Sequence, residues 1–486
     1  MRTPFIFLMP LLLCWFSLAG QDLRNSQWIL GGTSGGNGIL VNFNTTPLNL
    51  TWQNTGIKME GSNSSMCDAE GKLLFYSNGC LIANAANKTM ENGDSINGGL
   101  MQSIYCPAGG SPYIQGVLSV PAPGSDSLYY VFNLDMDDPY FMVPGVLGIA
   151  PVTLYYSIID MSRNSGLGAV LQKRQIAIQD TLARGNIQAV RHANETDWWI
   201  ITPESHSNCY FLTLVTQEGV QPAQKVCAGV PWSDDDSPAQ CVFTPDGKKY
   251  IRFNKGNGLH IYDFDRAAGY LSNQLVIEFP NDTFNVAGVA VAPNSRYLYA
   301  TTLKKVYQFD LQANDISATQ TLIATWDGYV NPYPTIFFLE ALAPDGKIYI
   351  ASTSSTQNLH VIHRPNCPGL SCNLEQHGVD LPGYNYISVP NFPQYVQSNL
   401  TAGCDTLTNT VISQNKSTSL LVFPNPVSEI LYLQTDNYKN AWQLINQLGQ
   451  VVLSGKELPE SIDCSRLPPA VYFLRVGGNR TSVVKW

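Results

Sequence analysis

The sequence predicts an all-β chain, a seven-bladed β-propeller followed by a small Ig-like β-sandwich. Three observations predict it. A short turn recurs as Thr244-Pro245-Asp246-Gly247-Lys248, Ala292-Pro293-Asn294-Ser295-Arg296 and Ala343-Pro344-Asp345-Gly346-Lys347. Proline presets φ in such a turn, and Asp, Asn and Gly tolerate the positive φ it needs. Each copy runs into an aromatic-rich strand: Tyr250-Ile251-Arg252-Phe253, Tyr297-Leu298-Tyr299-Ala300 and Ile348-Tyr349-Ile350-Ala351. The acid or amide of the turn recurs at 246, 294 and 345, a period suited to propeller blades of the WD-repeat-like kind.

Further units extend this register. Asp68-Ala69-Glu70-Gly71-Lys72 leads into Leu73-Leu74-Phe75-Tyr76-Ser77, with Asp68 and Gly71 as turn formers. Pro123-Gly124-Ser125-Asp126 leads into Leu128-Tyr129-Tyr130-Val131-Phe132, and Asn194-Glu195-Thr196-Asp197 into Trp198-Trp199-Ile200-Ile201. These and the opening three (Asp246-Gly247, Asn294, Asp345-Gly346) make six units. A seventh blade is expected from the strands of residues 27–50 completed by Ile387-Ser388-Val389-Pro390-Asn391-Phe392, which closes the ring and removes free sheet edges. Residues 21–397 divide into seven blades of about 54 residues; six or eight blades are the alternatives, and the usual blade length favours seven.

The ends of the chain differ from this repeat. Residues 1–20 read as a secretory signal: Arg2, an apolar run from Phe5 to Leu13, then small residues to Gly20. The run is too short to span a bilayer, and no later segment is long and apolar enough for a transmembrane helix. Residues 398–419 are polar and small, a linker tethered through Cys404. Residues 420–486 form a separate unit of short strands.

Composition narrows the partners. The chain has 486 residues, is 44% hydrophobic and 13% charged, and carries a formal net charge of −9 without a Lys/Arg run. Nucleic-acid binding, which needs a basic face, is excluded. Removal of the signal leaves ten of the 11 cysteines, a number suited to disulfides in an exported protein. The nearest candidate pair is Cys367 with Cys372 across a Pro-Gly turn. Cys227 with Cys241 or Cys209, and Cys80 with Cys67 or Cys106, are further candidates.

Candidate chemistry is sparse. His360 and His363 stand three apart, which on a strand sends them to opposite faces. Asn133-Leu134-Asp135-Met136-Asp137-Asp138 offers alternating oxygens for calcium but lacks the sixth-position glycine and distal glutamate. Trp232-Ser233-Asp234-Asp235-Asp236 offers an acidic loop beside an aromatic ring, for calcium or a sugar. Ser205-His206 is adjacent in sequence only, and a triad needs an orienting acid in space. No catalytic residue, metal ligand set or cofactor is assigned on these grounds; calcium stays as the one ion the loops suggest.

Residues 420–486 resemble the type A C-terminal sorting domain of the Bacteroidetes type IX (Por) secretion system. The matching residues are Pro424-Asn425-Pro426, Gly449 within Ile445-Asn446-Gln447-Leu448-Gly449-Gln450, Leu467, Tyr472 within Val471-Tyr472-Phe473-Leu474, and Lys485. The resemblance implies Sec export, handling by the type IX machinery, and delivery to the outer-membrane surface or the medium. The remainder looks like the N-terminal propeller of large Bacteroidetes surface proteins, carried by Asp68…Gly71-Lys72-Leu73-Leu74-Phe75-Tyr76-Ser77-Asn78-Gly79 and Pro390-Asn391-Phe392. That family brings no catalytic residues. The expected function is a secreted or surface-held binding or structural module for an unknown protein or glycan ligand. The alternatives are a secreted propeller hydrolase or lyase acting on glycans, and a scaffold in adhesion or gliding motility.

Overall fold

The computed structural model describes residues 22–31, 36–136, 151–232, 240–254, 256–280, 282, 286–395, 404, 421–434, 441–446, 450–476 and 479–485. The signal segment 1–20, the Gly32–Gly35 stretch and the linker 398–419, apart from Cys404, lie outside these residues. Two compact units are present, residues 1–405 and 406–486. Among the described residues no helix is long and apolar enough to cross a membrane.

The described part of the first unit contains seven antiparallel sheets in chain order, the blades. Blade 1 is Gln27–Gly31, Asn37–Asn42 and Asn49–Asn54; blade 2 is Ser64–Cys67, Leu73–Ser77 and Ile82–Asn84. Blade 3 is Val117–Pro121, Leu128–Leu134, Thr153–Asp160 and Ala169–Gln179. Blade 4 is Gln188–Arg191, Trp198–Pro203 and Cys209–Thr216, flanked by the two short strands Gly219–Val220 and Gln224–Cys227. Blades 5, 6 and 7 begin at Gln240–Phe243, Gly288–Val291 and Glu340–Leu342, and blade 7 ends at Leu374–Asn385.

A strand sends alternate side chains to opposite faces. In the second strand of each blade both faces are covered. Tyr129 and Val131 enter the apolar layer shared with blade 2, while Tyr130 and Phe132 enter the layer shared with blade 4. Trp198 and Trp199, Leu298 and Tyr299, and Tyr349 and Ile350 divide between neighbours in the same way. This is why these strands read as nearly continuous apolar runs. The layer between blades 7 and 1 joins Trp28, Leu30, Ile39 and Val41 to Tyr349, Leu359 and Val361, so the ring closes on itself. Trp28 meets Phe43, Tyr349 and Phe392 with ring centroids 4.8, 5.9 and 6.1 Å away.

The repeated turns join the inner strand to the second strand at one end of the ring. Gly247, Ser295 and Gly346 each donate a backbone N–H to the carbonyl three residues back, at 2.7, 2.9 and 3.0 Å. The side-chain oxygens of Asp246, Asn294 and Asp345 accept the N–H two residues on, at 3.1, 3.0 and 3.2 Å. Asp68 does the same for Glu70 and Lys72. Gly71 at φ +87° and Gly247 at φ +70° hold the left-handed position, which Ser295 occupies at φ +58° in blade 6. The acids of these turns are thus used by their own backbone.

The ring closes differently from a shared strand. Tyr386 donates its N–H to Gly31, and Phe392 lies against Trp28, so the two chain regions meet in blade 1 as expected. Ile387–Phe392, however, forms no strand ladder. Two prolines, Pro390 and Pro393, remove donors a ladder would need, and the segment turns toward the ring axis instead.

The disulfides agree with two of the candidate pairs and differ at the third. Cys80 pairs with Cys106, Cys209 with Cys227, and Cys367 with Cys404. The Cys367–Cys372 pairing is corrected: the 3-10 turn Gly369–Cys372 sends Cys372 into the layer beside Tyr299. Cys404 is instead held at the turn end of the ring, where Asn366 Oδ1 accepts the N–H of Asn294.

The described residues of the second unit form two sheets, Leu421–Phe423, Ile430–Gln434 and Ser461–Asp463 in one, and Val451–Gly455, Trp442–Ile445, Ala470–Val476 and Asn479–Lys485 in the other. Leu431, Leu444, Ile462, Tyr472 and Leu474 fill the space between them. This is the expected sandwich, with three strands (421–423, 461–463 and 479–485) that the sequence reading did not list.

Peptide mapping of the full chain under non-reducing conditions should recover these three disulfides, with Cys67, Cys241, Cys372 and Cys464 as buried free thiols. Recovery of a Cys367–Cys372 peptide would overturn the assignment.

Candidate functional site

The ring axis is the first place to look for chemistry, because inner strands from every blade converge there. Among the described residues, the chain's own segment around Asn391 enters it. The side-chain amide of Asn391 donates to the carbonyls of Val117 and Ile187 at 3.0 and 2.9 Å. Its oxygen accepts from Gln115 and Gln188 at 3.1 and 3.2 Å. Every hydrogen-bonding position of a primary amide is therefore used, by groups from blades 3 and 4 and the segments leading into them.

Other amides continue this girdle. Gln115 exchanges a pair of bonds with the backbone of Cys241, both at 2.8 Å. Gln240 donates to the carbonyl of Glu340 at 2.6 Å and accepts from the N–H groups of Val289 and Glu340. Asn63 donates to Ile29 and to Ser388 Oγ, each at 2.6 Å. Inner strands cannot pair with one another around an axis, so these side chains satisfy their inward backbone groups. What remains open beside Asn391 is a cavity of about 80 Å³, lined by glutamines, the 390–395 segment and apolar groups.

Glu340 is the carboxylic acid whose backbone borders that cavity. It stands opposite Ile350 in the blade 7 ladder, and Ile350 faces the layer between blades 6 and 7. Its carboxyl shares that face, away from the axis. Both carboxyl oxygens are buried without a hydrogen-bond partner. Burial alone raises its pKa well above the usual carboxylate range.

The histidines are dispersed. His360 is buried against Phe337 and accepts the backbone N–H of His377 at 3.0 Å, and burial lowers its pKa to about 4. His363 pairs at the surface with Glu375 at 2.7 Å, and the two do not share a ligand. His260 packs on Trp232 at 4.5 Å and is likewise lowered to about 4, by burial first. Trp232 is itself buried, with the Arg252 guanidinium 3.8 Å over its ring, so that ring has no face left for a sugar. Asp234, Asp235 and Asp236 lie outside the described residues. Asp135 accepts the N–H groups of Val152 and Thr153, which brackets the neighbouring strand; Asp137 and Asp138 lie outside the described residues. Ser205 Oγ is 2.8 Å from His206 Nδ1, a contact within one turn. Among the described residues no group of three or more His, Cys, Asp or Glu is placed to hold a metal ion.

In the second unit the motif residues come together at the sheet ends. Asn425 Oδ1 accepts the N–H of Val484 at 2.8 Å, and Val427 donates to Val484 at 2.7 Å. This sets Pro424-Asn425-Pro426 beside the strand that ends at Lys485. Tyr472 is buried and donates to the carbonyl of Pro468 at 2.9 Å; Leu467 packs on the same core. Gly449 lies outside the described residues.

The sequence reading missed the axial amides. A signal was present: Gln188-Ala189-Val190 and Gln240-Cys241-Val242 each open an inner strand with glutamine. Nothing local marked Gln115 or Asn391 as their partners.

Two substitutions test these sites. Asn391→Asp puts an oxygen where two donors are needed and should lower unfolding stability at pH 7 by on the order of 3 kcal/mol, read as a shift of the urea midpoint. Glu340→Gln should stabilise the protein by an amount that grows as pH rises. The folded acid keeps a proton that the unfolded chain loses above about pH 4.5, so wild-type stability is fully present below that pH and is lost as pH rises toward the raised folded pKa. His260 and His360 act in the opposite sense between about pH 4 and 6.5, equally in both proteins. A difference between variant and wild type that stays constant from pH 4 to 9 would refute the buried-acid account.

Residues 421–486 match the family described as the secretion system C-terminal sorting domain. The tail thus marks the chain for type IX secretion, to the cell surface or the outside. No curated protein matches the chain. Among solved structures, it is similar to a functionally unknown protein from Desulfotomaculum acetoxidans DSM 771, at 13% identity over 76% of this chain and 99% of that one, with a TM-score of 0.41. It is also similar to a protein described as a candidate 6-phosphogluconolactonase from Bacteroides fragilis NCTC 9343, at 13% identity over 74% and 97%, with a TM-score of 0.40. The seven-bladed architecture rests on the sheet order and the closed set of apolar layers, not on these likenesses.

Proposed function

We propose that this type IX-secreted protein is a binding module whose propeller is a rigid ring for displaying loops. The carrying observation is the axis: among the described residues, the segment around Asn391 enters it and is tied by amides, with the one bordering carboxyl turned into an apolar layer. A hydrolase or lyase working from the channel would need convergent acids or histidines there. Among the described residues, the cavity beside Asn391 is lined chiefly by glutamines, asparagines and apolar groups, with Glu340 the one acid. His260, His360 and His363 are held by packing or a surface pair.

The second disulfide supports display. Cys209–Cys227 ties the start of one strand in blade 4 to the end of its neighbour at the loop end. Cys80–Cys106 ties the loop of blade 2 to the short helical insertion of residues 101–108 at that same end. Cross-links at loops limit the ordering cost of binding.

The test is turnover against retention. The purified full chain, incubated with neutral and acidic polysaccharides, should release no reducing ends and no unsaturated uronate, and it should be retained by an immobilised ligand. Sustained product release would replace this reading with the glycan hydrolase or lyase.

A further inference from the structure

One strip of the loop end concentrates the exposed aromatic side chains. Among the described residues of the propeller five aromatics are exposed: Trp52, Tyr270, Tyr329, Tyr333 and Tyr384. All but Tyr270 belong to the outer strand of blade 7, the outer strand of blade 1, or the loop that enters blade 7. Their exposures run from 39% to 53%, so each ring offers a face to solvent. None of the four belongs to an apolar layer of the ring.

The outer strand of blade 7 is the spine of this strip. Tyr329 stacks on His377, with ring centroids 4.2 Å apart and planes 31° apart. Asn331 donates to Asn358, which donates to Asp380, at 2.8 and 2.7 Å, holding the Tyr333 loop over the strand. Trp52 lies so close to Gly383 that a Cβ there would meet its ring at 2.2 Å. Tyr384 is the next residue. Between His377 and Tyr384 the strand is bulged, with Asp380 and Asn385 standing opposite Asn358 and Thr356.

The loop is braced rather than loose. Trp326 donates its N–H to Lys304, Asp327 donates its N–H to Gln376, and His377 Nε2 lies 2.9 Å from Asp327 Oδ2. Asn331 donates its N–H to Tyr333, and Thr335 donates its N–H and hydroxyl to Tyr329. These bonds fix exposed rings that add little to the core, and fixed aromatic surface binds at low entropic cost.

The chemistry between the rings selects the ligand class. It includes the carboxylates of Asp327 and Asp380 and the amides of Asn331 and Gln376, with the His377 imidazole paired to Asp327 and the Lys304 ammonium over Trp326 at the start of the loop. Carboxylates repel a polyanion and accept hydrogen bonds from hydroxyl groups. Aromatic faces take the apolar C–H face of a sugar ring, as they take any flat apolar surface. We propose that this strip is a binding site for an extended neutral glycan, a refinement that rests on the binding-module reading. An extended Pro-rich peptide also docks on aromatic grooves. It has less use for the carboxylates.

Affinity electrophoresis of the full chain decides it. The probes are soluble neutral polysaccharides (a β-glucan, a xylan and a mannan), a polyuronate and a polyproline peptide. At least one neutral polysaccharide should retard the wild type, and the polyuronate should not. The double variant Tyr333→Ala, Tyr384→Ala should lose about tenfold in affinity. Tyr270→Ala should bind as wild type, and unchanged thermal unfolding of the double variant shows that its loss is not misfolding. Neutral-glycan retardation unaffected by the double variant overturns this site but leaves the module reading in place. Retardation by polyproline alone, or by none of the probes, overturns the glycan assignment. Depolymerisation of a retained glycan overturns the module reading itself.

Discussion

The structure depends on apolar layers that can be completed only in a ring. Each blade presents two apolar faces, and a free blade could cover neither in water. Seven layers result, one between every neighbouring pair, and the last joins the two ends of the propeller through Trp28, Tyr349 and Leu359. The local features serve this arrangement. The turns with Asp or Asn are short because inner and second strands must stay in register, and the second strands are apolar throughout because neither face reaches solvent.

The same closure creates a polar problem at the axis. Inner strands converge without pairing with one another, and their inward groups need partners. Glutamines from several blades supply them, and Asn391 completes the set by bringing in the chain's last propeller segment. The axis is thus a structural junction. That moves the search for function outward, to the loop end, where residues are held in place without being needed for the core.

Glu340 stands apart from this satisfied network. Its unpartnered carboxyl within an apolar layer, with its pKa raised by burial, is a cost the fold carries, for which the structure shows no compensating bond. The buried histidines differ from it: His260 is bonded at both ring nitrogens, and His360 accepts the His377 N–H at Nδ1, though its Nε2 is buried without a partner.

The blade register, the sandwich and the sorting tail were legible in the sequence because each is written locally: Asp246-Gly247 and its relatives form turns from their own side chains, and strand alternation has period two. Of the disulfides, Cys80–Cys106 and Cys209–Cys227 stood among the candidates, but the partner of Cys367 was not legible, because a short turn directs the nearer Cys372 away from it. Nor were the axial amides, since Gln115 meets Cys241 126 residues away and Asn391 lies 276 residues from Gln115. The aromatic strip likewise joins Trp52 to Gly383, near opposite ends of the propeller. The repeated turns, the apolar second strands and the sorting tail are written locally in the chain, whereas the ring's closure decided which distant side chains meet and that 387–392 makes no strand, because only closure sets the first blade against the last.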